Sequence, residues 1–91
     1  MSEVRRARVL VRGAVQGVGF RATARSRARS LGLAGWVRNN LDGSVEAELE
    51  GAPERLDLAV DWFGRGPSGA RVDDLRVEWR EPLGEQGFTI R

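Results

Sequence analysis

Residues 13 to 21 place three glycines and one arginine where a phosphate group could be held. The segment reads Gly-Ala-Val-Gln-Gly-Val-Gly-Phe-Arg and lies between an alternating, strand-like run and a helix-like run. Glycines in such a turn let several backbone N–H groups converge on one anion. Arg21, at the start of the helix-like run, adds a planar charged fork that matches phosphate oxygens. The segment predicts a phosphate-binding loop, although a glycine-rich turn taken alone more often only connects two elements.

The composition limits the chemistry that could take place beside this loop. All 15 basic residues are arginine, and the chain contains no His, Lys, Cys or Tyr. The usual general base is therefore missing, as are Cys, Lys and Tyr nucleophiles, disulfides, and the imidazole and thiolate ligands of zinc sites. Arginine, amide, hydroxyl, carboxylate and backbone N–H groups remain, and they suit positioning and charge stabilisation. We expect no metal and no cofactor.

The length and charge of the chain favour one small domain that acts on a small molecule. Its 91 residues suffice for a single core, and no apolar run approaches the roughly 20 residues that span a bilayer. The first ten residues lack the apolar stretch of a signal peptide, so a cytoplasmic location is expected. The pI of 10.9 reflects the missing titratable groups, since the net charge is only +2, and it is a weak indication of nucleic-acid binding. The expectation is a monomer with no nucleic-acid or membrane partner.

Hydrophobic periodicity predicts the element order β-α-β-β-α-β. The predicted elements are a strand over 6–12, a helix from Phe20 to Leu31, strands over 35–39 and 45–50, a helix from Pro53 that ends by Gly64 or Gly66, a long strand at about 71–80 and a short terminal piece at about 88–90. This order predicts a ferredoxin-like α+β fold, with two helices on one face of a four-stranded antiparallel sheet. Arginines of the first strand should lie near glutamates of the third on the open face, and Trp36, Trp62 and Trp79 should pack in the core or on the sheet.

Two sequence blocks resemble the signature of the acylphosphatases. The first block is the loop at 13 to 21, and the second is Leu-Gly-Leu-Ala-Gly-Trp-Val-Arg-Asn at 31 to 39, followed by Asp-Gly-Ser-Val-Glu at 42 to 46. Their separation fits that family, as do Gly66-Pro67 and the final segment 87 to 91. The resemblance implies hydrolysis of carboxyl-phosphate anhydrides to a carboxylate and inorganic phosphate, within one domain over residues 1–91.

The resemblance also implies which residues form the site. Arg21 and Asn39 are the implied catalytic residues, since Arg21 binds the phosphate and Asn39 orients the attacking water. The implied phosphate-binding residues are Gly13, Ala14, Val15, Gln16, Gly17, Val18, Gly19 and Arg21. Asn40 is excluded by alignment, and adjacent residues of a strand cannot both face the site. The chain departs from the family at Ala24, where a threonine is usual, and Thr23 lies one step earlier.

Two other functions fit the predicted topology. An RNA-binding module would expose aromatic residues on its central strands, whereas the outward positions here are mainly Arg and Glu. A non-catalytic regulatory domain of the same family is the third interpretation, and the presence of both Arg21 and Asn39 favours the enzyme. Asp42 is interpreted as a turn former and Glu46 as a surface partner of an arginine.

Overall fold

The alternating N-terminal residues form the first strand of a mixed sheet in the computed structural model of the chain, which describes residues 3–91. The elements follow in the order β1 (Arg5–Ala14), α1 (Phe20–Ser30), β2 (Ala34–Asn39), β3 (Val45–Gly51), α2 (Pro53–Phe63), β4 (Arg71–Arg80) and β5 (Phe88–Ile90). The ferredoxin-like α+β class predicted from periodicity is confirmed.

The sheet has five strands, in the order β4-β1-β3-β2-β5, and not the four that were predicted. The chain leaves β4 at one edge and returns at the opposite edge, where β5 runs parallel to β2. The Gly35 N–H donates to the Gly87 carbonyl at 2.9 Å, and the Arg91 N–H donates to the Val37 carbonyl at 2.8 Å. These bonds pin the terminal segment beside β2, so the sheet is mixed, whereas the other three strand pairs are antiparallel.

The core lies between the two helices and one face of the sheet. Alternate residues of β1 and β3, such as Val9 and Ala47, are fully buried there. Phe20, Trp62 and Phe63 form an aromatic cluster with ring centroids 5.2–5.7 Å apart. Because Phe20 is the first residue of α1, this cluster fixes the point at which the glycine-rich loop becomes a helix.

The other face of the sheet carries the predicted arginine–glutamate pairs. The guanidinium of Arg6 is 1% exposed and donates to Glu48 at 2.6 Å, to Glu85 at 2.7 Å and to Glu50 at 3.0 Å. Arg8 donates to Glu46 at 2.7 Å. The pairing of the first and third strands is confirmed, but Glu46 is buried, so the prediction of a surface position for it was wrong.

The three tryptophans occupy three different environments. Trp62 packs in the core, and Trp36 lies on the open face beneath the guanidinium groups of Arg38 and Arg91, at 5.0 and 4.8 Å from its ring centroid. Trp79 is 56% exposed, so the prediction that it packs in the core or on the sheet was wrong. It belongs to β4, which lies at one edge of the sheet. Across residues 3–91, no helix is both long and apolar enough to cross a membrane.

Candidate active site

The loop between β1 and α1 directs unpaired backbone donors toward one cleft. Gly17 and Gly19 adopt φ values of +77° and +76°, a left-handed conformation that residues with a side chain rarely take. Within residues 3–91, none of the N–H groups of residues 15 to 19 donates to a protein acceptor. The loop therefore offers several hydrogen-bond donors to an anion.

Arg21 supplies a positive charge next to these donors. It is the second residue of α1, it is half-buried, and no carboxylate of residues 3–91 forms an ion pair with it. The first turn of α1 contains no acidic residue, so nothing there offsets the positive end of the helix dipole. A guanidinium in this position remains available to a ligand.

Asn39 ends β2 on the side of the sheet that carries the helices. It lies opposite Val45 of β3, whose side chain is fully buried in the core. Its Oδ1 atom is buried and accepts no hydrogen bond from the described part of the protein. A buried acceptor of this kind is uncommon in folded proteins, and such atoms often mark functional positions.

One cleft of about 240 Å³ joins the loop, the arginine and the asparagine. It is lined by Val15, Gly17, Gly19, Phe20, Arg21, Ala22, Asn39 and Ile90. Five of the residues expected at the site therefore meet in it: four come from the continuous stretch at 15–21, and Asn39 comes from the end of β2. The arrangement combines anion donors, a cation and a free amide oxygen in one small space.

Four of the expected phosphate-binding residues do not line the cleft. Gly13 and Ala14 belong to β1 and pair with β4, and Val18 packs partly against the core. A Cβ atom at Gly13 would overlap the carbonyl oxygen of Arg71, so this glycine allows the close approach of two strands. The side chain of Gln16 turns away, toward the loop that follows Asn39.

That following loop is ordered by its own hydrogen bonds. Asp42 accepts from the Ser44 N–H at 3.0 Å, from the Ser44 hydroxyl at 2.6 Å and from Arg12 at 3.1 Å. These bonds, led by the one from the Ser44 hydroxyl, lower the pKa of Asp42 to about 2. The Asn40 side chain donates to the Ser44 hydroxyl at 3.0 Å, so it serves the turn and not the cleft.

Comparison with known proteins identifies the family. A family model described as acylphosphatase matches residues 7–90. The chain belongs to the acylphosphatase family. An acylphosphatase from Anaeromyxobacter is 52% identical to it over 92 residues, which cover all of this chain and 99% of that protein.

Solved acylphosphatases share the whole architecture of this family member. The Bacillus subtilis acylphosphatase superposes with a TM-score of 0.92 at 37% identity and covers 98% of this chain and 99% of its own. The acylphosphatase from Coxiella burnetii gives a TM-score of 0.93 at 33% identity, over 97% of this chain and 93% of its own. The family assigned from the two sequence blocks is confirmed.

Ala24, the position at which the chain departs from the usual acylphosphatase pattern, lies in α1 just after the glycine-rich loop. Ala24 lies on the core-facing side of α1, where it is fully buried, and it does not line the cleft. The hydroxyl of Thr23 donates to the Gly19 carbonyl at 3.0 Å, and the Thr23 N–H donates to the same oxygen at 3.1 Å. Thr23 therefore fixes the carbonyl of Gly19, the last residue of the loop, which lies one helical turn earlier.

Proposed function

We propose that this chain hydrolyses small-molecule acyl phosphates, with the loop and Arg21 binding the phosphate and Asn39 orienting the attacking water. The observation that carries the proposal is the shared cleft, in which an unpaired guanidinium, free backbone amides and an unsatisfied amide oxygen come together. Of the phosphate-binding residues expected from the sequence, those that line the cleft contribute directly. Gly13, Ala14, Gln16 and Val18 support the loop from outside it.

Binding requires the phosphate dianion to exchange water for fixed donors. The amides at 15 to 19 and the positive end of α1 favour an anion at this point. Arg21 can hold two phosphate oxygens in parallel, because its N–H groups form a rigid fork. Preorganised donors of this kind also stabilise the charge on the equatorial oxygens during phosphoryl transfer.

Water then attacks phosphorus in line with the leaving carboxylate. The Asn39 Oδ1 atom accepts a hydrogen bond from that water and aims its oxygen at phosphorus. A water–phosphorus bond forms while the bond from phosphorus to the acyl oxygen breaks, and its electron pair leaves with the carboxylate. A phosphoryl oxygen takes the proton of the water, so the products are a carboxylate and dihydrogen phosphate.

The proposed reaction makes small demands on acid–base groups. A carboxylate is a weak base and leaves without protonation, so no general acid is required. The donors in the cleft supply positioning and charge stabilisation, which form the main part of catalysis in phosphoryl transfer. We propose that the enzyme needs no metal, no cofactor and no nucleic-acid partner. The cytoplasm is the compartment expected from the sequence.

The decisive assay compares substrates of different leaving-group chemistry. Benzoyl phosphate should be hydrolysed rapidly, and p-nitrophenyl phosphate should be hydrolysed far more slowly. A chelator should leave the rate unchanged. Loss of activity with the chelator contradicts metal independence, and equal rates on the two substrates contradict the acyl-phosphate assignment. A salt-sensitive RNA complex in a gel-shift assay would support the nucleic-acid alternative.

A further inference from the structure

Strand β4 leaves one long edge of the sheet open. It pairs with β1 on its inner side, and nothing in residues 3–91 pairs with its outer side. Leu75, Val77 and Trp79 lie opposite fully buried residues of β1, on the side of the sheet that carries the helices. Leu75 and Val77 are only partly buried, and Trp79 is more than half exposed. The edge therefore presents an apolar strip beside unpaired backbone groups.

The opposite side of β4 carries charges in alternating order. Asp74, Arg76, Glu78 and Arg80 follow one another at every second position. Arg76 pairs with Asp74 at 3.1 Å and Arg80 with Glu78 at 3.4 Å, all on the exposed surface. Exposed pairs of this kind are weak and exchange partners readily.

We propose that β4 pairs antiparallel with β4 of a second copy of this chain, in a register centred on Val77. In this register Arg76 lies opposite Glu78 of the second copy, and Asp74 lies opposite Arg80 of that copy. Two-fold symmetry repeats both contacts, so every charge between 74 and 80 meets an opposite one. On the other side, Leu75 lies opposite Trp79 of the second copy, and the two Val77 side chains meet at the axis. Cross-strand pairs of these types stabilise antiparallel sheets.

Neighbouring registers are disfavoured by charge. A two-fold axis normal to the sheet pairs residues whose side chains lie on the same side of the sheet. The axis passes beside one residue of β4, and each neighbouring register moves the axis to the next residue along the strand. Centred on Arg76, the strands place two arginines together and Asp74 against Glu78. Centred on Glu78, they place two glutamates together and Arg76 against Arg80. Centred on Leu75, they keep one type of charge pair, between Asp74 and Arg76, and place Glu78 and Arg80 opposite the irregular part of β4 that precedes Asp74.

The proposed dimer is compatible with catalysis by each chain. No residue of β4 lines the cleft that contains Arg21 and Asn39. Pairing would join two five-stranded sheets into one, with all helices on the same side. A single strand pair buries little surface, so association should be weak and concentration-dependent. The monomer expected from the sequence would be the dilute form.

Charge reversal tests the register, independently of whether the proposed catalytic function is correct. Arg76→Glu alone and Glu78→Arg alone should each place like charges together and abolish the dimer in sedimentation velocity runs up to about 1 mM protein. A mixture of the two variants should form a heterodimer, because both cross-strand pairs then become attractive. Circular dichroism and melting temperature check that each variant is folded, since Glu78 also pairs with Arg8 at 3.0 Å within the chain.

Cross-linking supplies a second, geometric test. The chain contains no cysteine, so one introduced thiol is the only thiol present. Val77→Cys should form a disulfide dimer under mild oxidation, because directly opposed residues lie within bridging distance. Leu75→Cys is the matched control, since its symmetry mate would be displaced by four residues, about 13 Å. A wild-type monomer at the highest concentration, no heterodimer, or equal cross-linking of the two variants would each overturn the proposal.

Discussion

The side-chain amide of Gln16 donates a hydrogen bond to the main-chain carbonyl of Asn40, at 2.8 Å. The same amide nitrogen lies 3.0 Å from the Ser44 carbonyl. One side chain of the glycine-rich loop therefore reaches the turn that directly follows Asn39. The phosphate donors and the water-orienting residue of the proposed site are thus tied together from outside the cleft.

Gln16→Leu should impair catalysis without removing any group from the cleft. Without the tie, the loop and Asn39 lose their fixed spacing, and a displacement of about 1 Å can cost up to about 10²-fold in rate. We expect kcat/KM for benzoyl phosphate to fall by roughly tenfold, with a smaller change in melting temperature. Gln86→Leu, at an exposed position away from the cleft, is the control and should retain wild-type kinetics. An unchanged kcat/KM in Gln16→Leu would show that the tie does not position the site.

Arg21→Ala should abolish phosphate binding. The variant keeps the loop amides but loses the cleft's guanidinium, and removing one strong transition-state donor typically costs about 10²–10³-fold in rate. Binding of inorganic phosphate, measured by isothermal titration calorimetry, should disappear, and turnover of benzoyl phosphate should be lost with it. Arg27→Ala provides the comparison, because Arg27 is exposed in the last turn of the same helix. Near-normal phosphate affinity in Arg21→Ala would contradict the proposed role.

Asn39→Ala should separate binding from turnover. The phosphate donors remain, so phosphate affinity should stay close to wild type, whereas kcat should fall by roughly 10²-fold or more because water is no longer aimed. Asn40→Ala tests the neighbouring amide, whose side chain bonds to Ser44, and it should keep most of kcat. If Asn39→Ala changes only KM, Asn39 does not orient water.

Local sequence patterns predicted the elements and the open face well. Alternation of arginine with apolar residues in β1, and of glutamate with apolar residues in β3, placed both charged rows on one side, where Arg6 and Glu50 now meet. Features that depend on contacts between distant parts of the chain were not predictable in this way. The position of β5 depends on where a segment without periodicity crosses the sheet, and the exposure of Trp79 depends on β4 being an edge.

The candidate site was likewise predictable only in part from the sequence. Family resemblance pointed to Arg21 and Asn39, and both line one cleft. It could not separate loop residues that face the cleft from those that support it, because all share one motif. The Asp-x-Ser spacing of Asp42 and Ser44 is typical of a side-chain turn and was readable in advance. No local signal indicates that Gln16 reaches Asn40, since 24 positions separate them.

Acid should weaken the fold through Glu50. Burial alone would raise the pKa of this carboxyl, but hydrogen bonds from the Leu83 N–H, from Arg6 and from the Gly84 N–H outweigh burial and hold the pKa below its ordinary value of 4.5. A depressed pKa in the folded state contributes stability above pH 4.5, and that stability is lost as the pH falls through the folded-state pKa.

Glu50→Gln should therefore be less stable than wild type at neutral pH by roughly 2 kcal/mol, and the difference should shrink in acid. Urea unfolding at a series of pH values from about 7 to about 3 measures this change. Glu54→Gln, at an exposed position in the first turn of α2, serves as the control. A difference that stays constant over the whole range would exclude ionised Glu50 as its source.

Gly13→Ala should destabilise the fold through the contact between β1 and β4. Gly13 has a φ of +138°, and the pairing of the two strands shifts register next to it, between Arg12 and Gly13. A Cβ atom there would overlap the Arg71 carbonyl, so the strands would have to separate. Gly43→Ala is the comparison, because Gly43 also has a positive φ, +92°, whereas a Cβ atom there would meet open space.

The difference between these two glycine variants isolates the steric contact. We expect Gly43→Ala to cost about 1 kcal/mol in the free energy of unfolding, and Gly13→Ala to cost about 3 kcal/mol or more. Urea titration of both variants measures the two losses. Because Gly13 leads into the phosphate loop, its variant should also lose kcat/KM while the protein is still folded. Equal losses of stability would mean that strand proximity is not what requires glycine at this position.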